Sequence, residues 1–333
     1  MHISIYSSDA PDILNELADT PEMRRLSDVG MHCGCEYTDM PRYKRERYPY
    51  SRLTHSVGVS RIVWRFTKDE KQAIAGLLHD VATPVFSHTI DFMNNDYMMQ
   101  ESTEEETVLL IRNSAAIMEL LDKRQIKLED VCDYHKYPIA DNDTPQLSAD
   151  RMEYTLGNGY LMCGCELSEI REMYEDLSVA ENEFGADELC FHSFDKVKAF
   201  SKMAIENSRF YVSDEERFAM QSLAEIIRSA IKTGVLLPGD LHTTESEVIS
   251  KLKSSRETRD AWEKYTGVTA VSTSPGALCD RYCVNVSAKK RYINPLFMTS
   301  NGAIRISEID AEAKNDIEAF LNMDFNYWIY IMG

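Results

Sequence analysis

A histidine and an aspartate, His79 and Asp80, stand side by side at the end of an apolar, helix-like stretch. Beyond Pro84 the chain carries a second pair of the same residue types, His88 and Asp91. A buried carboxylate is costly unless a cation compensates its charge. Imidazole nitrogens and carboxylate oxygens are common ligands of first-row metals. The adjacent His79 and Asp80 therefore predict a metal site.

Two further segments surround this stretch. RLTHSVGV contains Arg52 and His55, and SADRMEYT contains Asp150, Arg151 and Tyr154. Together with AGLLHDVATPVFSHTID, they resemble the motifs of the HD superfamily of metal-dependent phosphohydrolases, and most closely its deoxynucleoside triphosphate triphosphohydrolase branch. Fainter similarity runs from TPEMRRLSDVG to KKRYINPLFM, so the resemblance covers most of the chain.

The resemblance implies one divalent ion held by His55, His79, Asp80 and Asp150. These ligand types suit Mn, Fe, Ni, Co, Zn or Mg. Such an ion polarises a phosphoryl oxygen, lowers the pKa of a bound water, or does both. The alternative is a histidine and carboxylate network in a helical core.

The resemblance also implies roles around the metal. Arg52 and Arg151 contact phosphates, which the planar guanidinium can bind through two hydrogen bonds, and Tyr154 contacts the sugar or a nearby phosphate. Asp91 helps a histidine in acid catalysis, so Asp91 and Arg52 are the predicted catalytic residues. His88 matches a position outside the metal ligands, and a core histidine is an equal alternative there.

The chain departs from the family pattern at two histidine positions, which are occupied by Thr83 and Thr103. Threonine cannot exchange a proton near pH 7 as imidazole does. Gly157 and Asn158 replace a further Arg-Asp pair. The sequence therefore predicts an intact metal centre with altered leaving-group chemistry.

Three functions follow. The favoured one is metal-dependent hydrolysis of a nucleotide or related phosphate ester, because losing an acid slows such a reaction by about 10²–10⁴-fold without removing the metal. The second is a nucleotide-binding regulatory protein with little or no turnover. The third is a metal oxygenase, but Thr83 argues against the second iron site that oxygenases of this fold normally need.

The net charge of −19 is the reverse of what a general nucleic-acid binder shows. A basic segment nevertheless precedes His55 and includes Arg45 and Arg47, which we predict to bind substrate phosphates. A solvated basic loop is the alternative. The predicted partner is a small nucleotide or phosphate ester, and the resemblance implies a homo-oligomer, a dimer.

The chain has eight cysteines, no secretory signal and no apolar run of the ~20 residues that span a membrane. We therefore expect a cytoplasmic protein that does not depend on disulfides. Two Cys-Gly-Cys-Glu segments place Cys33 and Cys35, and Cys163 and Cys165, where four thiolates could hold a structural zinc. Buried free thiols are the alternative.

The predicted fold is mainly α, with an HD phosphohydrolase-like helical domain over residues 1–235 and a small α+β part over 236–333. Capping signals predict one box from Thr67 to Glu70, and another from Ser213 to Glu216 that opens a helix over Asp214 to Lys232. Periodicity predicts one helix from Glu104 to Leu121. Short strand-like segments then follow, namely VTAVSTS, YCVNVSA, AIRISEI and NYWIYIMG.

Overall fold

The computed structural model describes residues 5–6, 9–45, 49–94 and 104–332. The prediction of a mainly helical fold with a C-terminal α+β part is confirmed. The helices are α1 (Asp12–Ala18), α2 (Pro21–Arg25), α3 (Arg52–Thr67), α4 (Glu70–Leu78), α5 (Thr89–Asn94), α6 (Glu104–Asn113), α7 (Ala115–Lys123), α8 (Ala149–Leu161), α9 (Leu167–Glu175), α10 (Phe194–Tyr211), α11 (Asp214–Lys232), α12 (Glu245–Ser254), α13 (Arg256–Thr266), α14 (Ile306–Ile309) and α15 (Ala311–Leu321). The strands are β1 (Leu177–Glu181), β2 (Asp187–Phe191), β3 (Val271–Ser274), β4 (Cys283–Val284), β5 (Leu296–Thr299), β6 (Gly302–Arg305) and β7 (Trp328–Ile331).

Helices α3, α4 and α8 pack together and carry the residues of interest. Gly76 of α4 lies against Val59 and Val63 of α3, where an added methyl group would come within 3.3 Å of both side chains. The glycine therefore allows the two helices to approach closely. Ser51 caps α3 and Ser148 caps α8, each accepting a hydrogen bond from a backbone N–H of the first turn.

Two local predictions were wrong. Thr67 is the last residue of α3, and Asp69 instead caps the helix that begins at Glu70 by accepting from two backbone N–H groups. The predicted single helix over 104–121 is two helices, because Ser114 caps a new one. In both places a short polar side chain satisfies backbone donors more directly than the predicted pattern did.

Strands β1, β2, β5 and β6 form one sheet in that order, with β2 and β5 parallel and the other pairs antiparallel. Strands β3, β7 and β4 form a second, antiparallel sheet. The first sheet joins strands from both sides of residue 235, so the predicted domain boundary passes through a sheet. None of the described helices is long and apolar enough to cross a membrane.

Candidate metal centre

The structure brings three of the predicted metal ligands together and places the fourth, Asp150, beside the two histidines. His55 lies in the first turn of α3, His79 and Asp80 follow the end of α4, and Asp150 is the second residue of α8. One ligand atom from each of the first three lies within 4.8 Å of the others. The Oδ1 atom of Asp150 is 2.9 Å from Nε2 of His55 and 3.7 Å from Nε2 of His79.

Both imidazoles are oriented through their other ring nitrogen. Nδ1 of His55 donates to Oε2 of Glu153 at 2.6 Å, and Nδ1 of His79 donates to the carbonyl oxygen of Gly76 at 2.8 Å. Glu153 is fully buried and also accepts from the hydroxyl of Tyr50. This pattern turns Nε2 toward the centre and is typical of metal-binding histidines.

The charges of the centre suit a cation. Burial opposes ionisation of Asp80, but Arg52, whose Nη1 is 2.9 Å from the carboxylate, and the neighbouring histidines hold the pKa of Asp80 well below its usual range. Burial likewise lowers the pKa of His55, yet hydrogen bonds to Asp150 and Glu153 raise it to about 10. A divalent cation would take the place of that proton, and two imidazoles with two carboxylates form a suitable donor set.

Thr83 occupies the place of an expected catalytic histidine and contacts a predicted ligand instead. Its hydroxyl donates to Oδ1 of Asp80 at 2.8 Å. Its carbonyl accepts from Arg25 at 2.7 Å, and the same guanidinium nitrogen donates to the carbonyl of Val81. Thr83 is therefore placed to orient a carboxylate of the centre. Thr103, the other replaced position, lies outside the described residues.

His88 and Asp91 form a second oriented pair. Nδ1 of His88 donates to Oδ2 of Asp91 at 2.9 Å, while Nε2 lies 3.5 Å from Nη1 of Arg291. Burial lowers the pKa of His88, and the carboxylate does not fully offset this effect. The imidazole is therefore neutral in the free protein near pH 7, with its Nε2 atom facing a cation.

The turn that leads to His88 has an unusual backbone. Phe86 and Ser87 are consecutive non-glycine residues with φ of 58° and 45°, a conformation that costs free energy and persists only where the surroundings hold it. The buried carboxylate of Glu245 accepts from the backbone N–H of Phe86 at 3.1 Å, and Nε of Arg52 donates to the Ser87 hydroxyl at 3.1 Å. Helix α12 therefore helps to hold this turn.

The HD-domain family profile matches residues 52–151, a segment that includes all four predicted ligands. This chain carries an HD domain. The match confirms the HD domain that the sequence motifs predicted.

Curated relatives extend the similarity beyond the HD domain. The uncharacterized protein YdhJ of Bacillus subtilis strain 168 is 23% identical over 312 residues, which cover 92% of this chain and 90% of YdhJ. The metal-dependent phosphohydrolase cns2 of Cordyceps militaris is 28% identical over 145 residues, 43% of this chain and 39% of cns2. The family match and the second name agree with the predicted enzyme class, the metal-dependent phosphohydrolases.

Solved structures share the fold over nearly the whole chain. A hypothetical protein from Aquifex aeolicus has a TM-score of 0.65 at 19% identity and covers 97% of this chain and 93% of its own. A phosphohydrolase from Bacteroides thetaiotaomicron VPI-5482 has a TM-score of 0.63 at 14% identity and covers 96% and 95%. The C-terminal part therefore belongs to the shared fold as well as the HD domain does.

The predicted phosphate-binding residues of the HD domain differ in their placement. Arg52 donates hydrogen bonds to Asp80 and Ser87. Nη1 of Arg151 donates to Asp141 at 3.2 Å and to the side-chain oxygen of Asn142 at 2.6 Å. Both guanidiniums are thus engaged with the protein, which the sequence did not predict.

Tyr154 lies one turn after Asp150 and packs edge-on against Tyr211, with 6.0 Å between the ring centroids. It therefore stays a candidate substrate contact on the ligand-bearing helix α8. Arg47 and the side chain of Arg45 lie outside the described residues.

The predicted zinc site does not form among the described residues, where the one group of closely placed candidate ligands is that of the HD centre. Cys33 and Cys35 are buried, Cys163 is exposed and Cys165 is half-buried. Burial raises the pKa of Cys33 to about 12 and raises that of Cys35 as well. These two side chains are therefore neutral thiols in the free protein, which fits the alternative of buried free thiols.

Proposed function

We propose that this HD-domain protein is a metal-dependent phosphohydrolase that acts on a nucleotide or related phosphate ester. The carrying observation is the convergence of His55, His79, Asp80 and Asp150, with both imidazoles oriented through Nδ1. The HD-domain match and the name of the fungal relative support this class of reaction. The nucleotide substrate rests on the resemblance to the triphosphohydrolase branch.

When held by these four residues, a divalent ion supplies Lewis acidity that polarises a phosphoryl oxygen and activates water. Glu153 holds His55 in the tautomer that presents Nε2. Arg52 and Thr83 each donate to one oxygen of Asp80, so this carboxylate stays ionised and fixed in orientation. The protein thus preorganises the centre before substrate arrives.

His88 is our candidate for the residue that protonates the leaving oxygen. Asp91 orients it through Nδ1, so Nε2 is the nitrogen that carries the transferred proton. A phosphate oxyanion in the cleft raises the pKa of the imidazole, because a nearby negative charge favours the protonated form. His88 and Asp91 would therefore replace the acid that Thr83 cannot provide.

A regulatory protein that binds nucleotide with little turnover is the second candidate. The observation that favours it is Thr83, whose hydroxyl bonds Asp80 where a family histidine is expected. If the acid is simply missing, Thr83→His raises hydrolysis. If His88 and Asp91 already supply the acid, Thr83→His gives no gain.

The test begins with protein purified without chelator. Bound metals are measured, and the protein is screened with Mn²⁺ against nucleoside mono-, di- and triphosphates, with products identified by mass. Release of a phosphate-containing product supports hydrolysis, and inorganic triphosphate would specify the triphosphohydrolase branch. Metal-loaded protein that binds nucleotides without turnover supports the regulatory candidate, whereas iron with oxygen consumption would indicate an oxygenase.

We also propose Mn²⁺ as the activating ion, a homodimer and a cytoplasmic location. Mn²⁺ is one of the ions that the ligand types suit, and the homodimer rests on the family resemblance. The third is supported by the cysteines, all of which are free thiols among the described residues, since disulfides are rare in reducing compartments.

A further inference from the structure

Arg291 reaches the HD site from the far end of the sequence. It belongs to the segment between β4 and β5, in KKRYINPLFM, and its side chain is half-buried. Its Nη1 atom is 3.5 Å from Nε2 of His88. The C-terminal part of the chain thus places a permanent positive charge beside the proposed proton donor.

Two other arginines near the site, Arg52 and Arg151, have carboxylate partners. Arg52 is paired with Asp80 at 2.9 Å and Arg151 with Asp141 at 3.2 Å. For Arg291, no carboxylate oxygen of the described residues lies within 4.0 Å. A partly desolvated guanidinium of this kind attracts an anion.

The positive charge of Arg291 acts on two buried tyrosines. Burial raises the pKa of Tyr154 and of Tyr211, and the nearby guanidinium opposes the effect at both phenols. Tyr154 is one helical turn beyond Asp150 on α8. The guanidinium of Arg291 therefore acts on a tyrosine of the helix that carries a predicted metal ligand, and it contacts His88 directly.

We propose that Arg291 forms an oxyanion subsite with His88 and binds a phosphate oxygen of the substrate. Two nitrogens 3.5 Å apart can both reach one oxygen at ordinary hydrogen-bond distances of about 2.8 Å. Arg291 donates to it directly, and Nε2 of His88 donates once the bound anion favours the protonated imidazole. The subsite deepens the proposed function and rests on it. It assigns the C-terminal segment a direct part in substrate binding.

The probe is inorganic tripolyphosphate, whose binding is measured by calorimetry and needs no turnover. Arg291→Gln is expected to weaken binding by about 10- to 100-fold, the effect of losing one charged hydrogen bond. Arg291→Lys keeps the charge and is expected to bind more tightly than Arg291→Gln. The matched control is Arg281→Gln, which alters a C-terminal arginine near Asp280 and is expected to bind as the wild type does.

Unchanged affinity in Arg291→Gln would overturn the subsite, as would equal losses in the Gln and Lys variants, because the charge would then have no role. The two proposals fail separately. If the protein hydrolyses no phosphate but tripolyphosphate binding depends on Arg291, hydrolysis fails and the subsite stands. If the wild type hydrolyses a nucleotide and Arg291→Gln changes neither its KM nor tripolyphosphate affinity, only the subsite fails.

Discussion

At the scale of single residues, the buried Glu153 carboxylate decides how His55 can act. Replacing it with glutamine keeps the shape but weakens the acceptor for Nδ1 of His55 and lets the imidazole adopt the other tautomer. Glu153→Gln is expected to lower metal affinity by about 10- to 100-fold, as measured by competition with a chelating dye. Tyr50→Phe is the control, because it removes a donor to the same carboxylate without changing its charge. Wild-type affinity in Glu153→Gln would contradict the orienting role.

Asp80 is both a proposed metal ligand and the ion-pair partner of Arg52. Asp80→Ala is expected to release the metal and end hydrolysis, because it removes one proposed ligand. It also leaves Arg52, which is 8% exposed, without its carboxylate. Metal content and the melting temperature are measured together. A folded variant with full metal content would show that the ligand assignment is wrong.

Unlike the substitution of Asp80, a substitution of His88 is expected to leave the metal bound. His88→Gln is expected to lower kcat by about 10²–10⁴-fold, the usual contribution of a general acid, while bound metal stays at the wild-type level. The reason is that the side-chain hydrogen bonds of His88 within the described residues go to Asp91 and Arg291, and neither is a proposed metal ligand. The measurement is kcat beside metal content, and an unchanged kcat would remove His88 from the mechanism.

Each proposed ligand lies in a short local motif, which is why the sequence could propose them, and His55, His79 and Asp80 do lie close together. The sequence missed Glu153, although that residue follows Asp150 by three positions and so shares its helical face. It could not predict Arg291 or Glu245, whose partners lie far away in the sequence. Arg52 was predicted to contact phosphate, but its ion pair with Asp80 depends on how two helices pack.

At the scale of the elements, the first turn of α11 contains a carboxylate that burial affects strongly. Ser213 caps this helix as predicted, yet the buried side chain of Glu216 turns to Tyr43, whose hydroxyl donates to it, instead of completing a capping box. Burial raises the pKa of Glu216 to about 7, although hydrogen bonds from Tyr43 and Cys35 oppose this. Glu216 is therefore expected to ionise at a pH where the stability of the protein can be measured.

This raised pKa predicts the sign of a pH effect. Below the unfolded-state value both states of Glu216 are protonated, so its contribution to stability is fully present. That contribution is lost as the pH rises through the folded value of about 7. Glu216→Gln is therefore expected to gain stability relative to wild type, by up to roughly 3 kcal/mol, between pH 4.5 and pH 8. The measurement is urea unfolding, with the exposed Glu215→Gln as control, and parallel wild-type and Glu216→Gln curves would contradict it.

Element prediction succeeded where a strong cap met a clear apolar period, as in α11 over 214–232. It missed α13, whose sequence is very polar and buries only Thr258, Trp262 and Tyr265. It also missed the β1–β2 hairpin, which lies inside the part predicted to be helical. These elements form because tertiary neighbours complete them, and such neighbours are not visible in a local pattern.

At the scale of the whole molecule, the HD centre depends on both parts of the predicted division at residue 235. Glu245 accepts from Phe86 in the turn before His88, and Arg291 approaches His88 itself. The shared sheet adds a third connection, since β2 pairs with β5. The boundary at 235 stays a prediction, but it would separate side chains that contact each other at the proposed site.

A buried ion pair between Arg305 and Glu188 also joins the two sides of residue 235. Two guanidinium nitrogens of Arg305 donate to the two oxygens of Glu188 at 2.6 and 2.8 Å, and both residues are almost fully buried. The same carboxylate accepts from the backbone N–H of Leu147, next to the Ser148 cap of the helix that carries Asp150. The ion pair thus links β6, β2 and the start of α8.

Removing one partner of a buried pair costs more than removing both, because the remaining charge stays desolvated. Arg305→Met is therefore expected to destabilise the fold by about 3–5 kcal/mol, and Arg305→Met with Glu188→Met is expected to recover most of this loss. Urea unfolding and metal affinity are measured for both variants.

If the pair fixes the start of α8, metal binding weakens in both variants. Arg305→Met loses the orientation of the Glu188 carboxylate at Leu147, and the double variant loses the carboxylate itself. Restored stability with weakened metal binding in the double variant would separate the effect on Asp150 from the effect on the fold. Normal metal affinity there would instead show that the cap and the packing of α8 position Asp150 without the sheet.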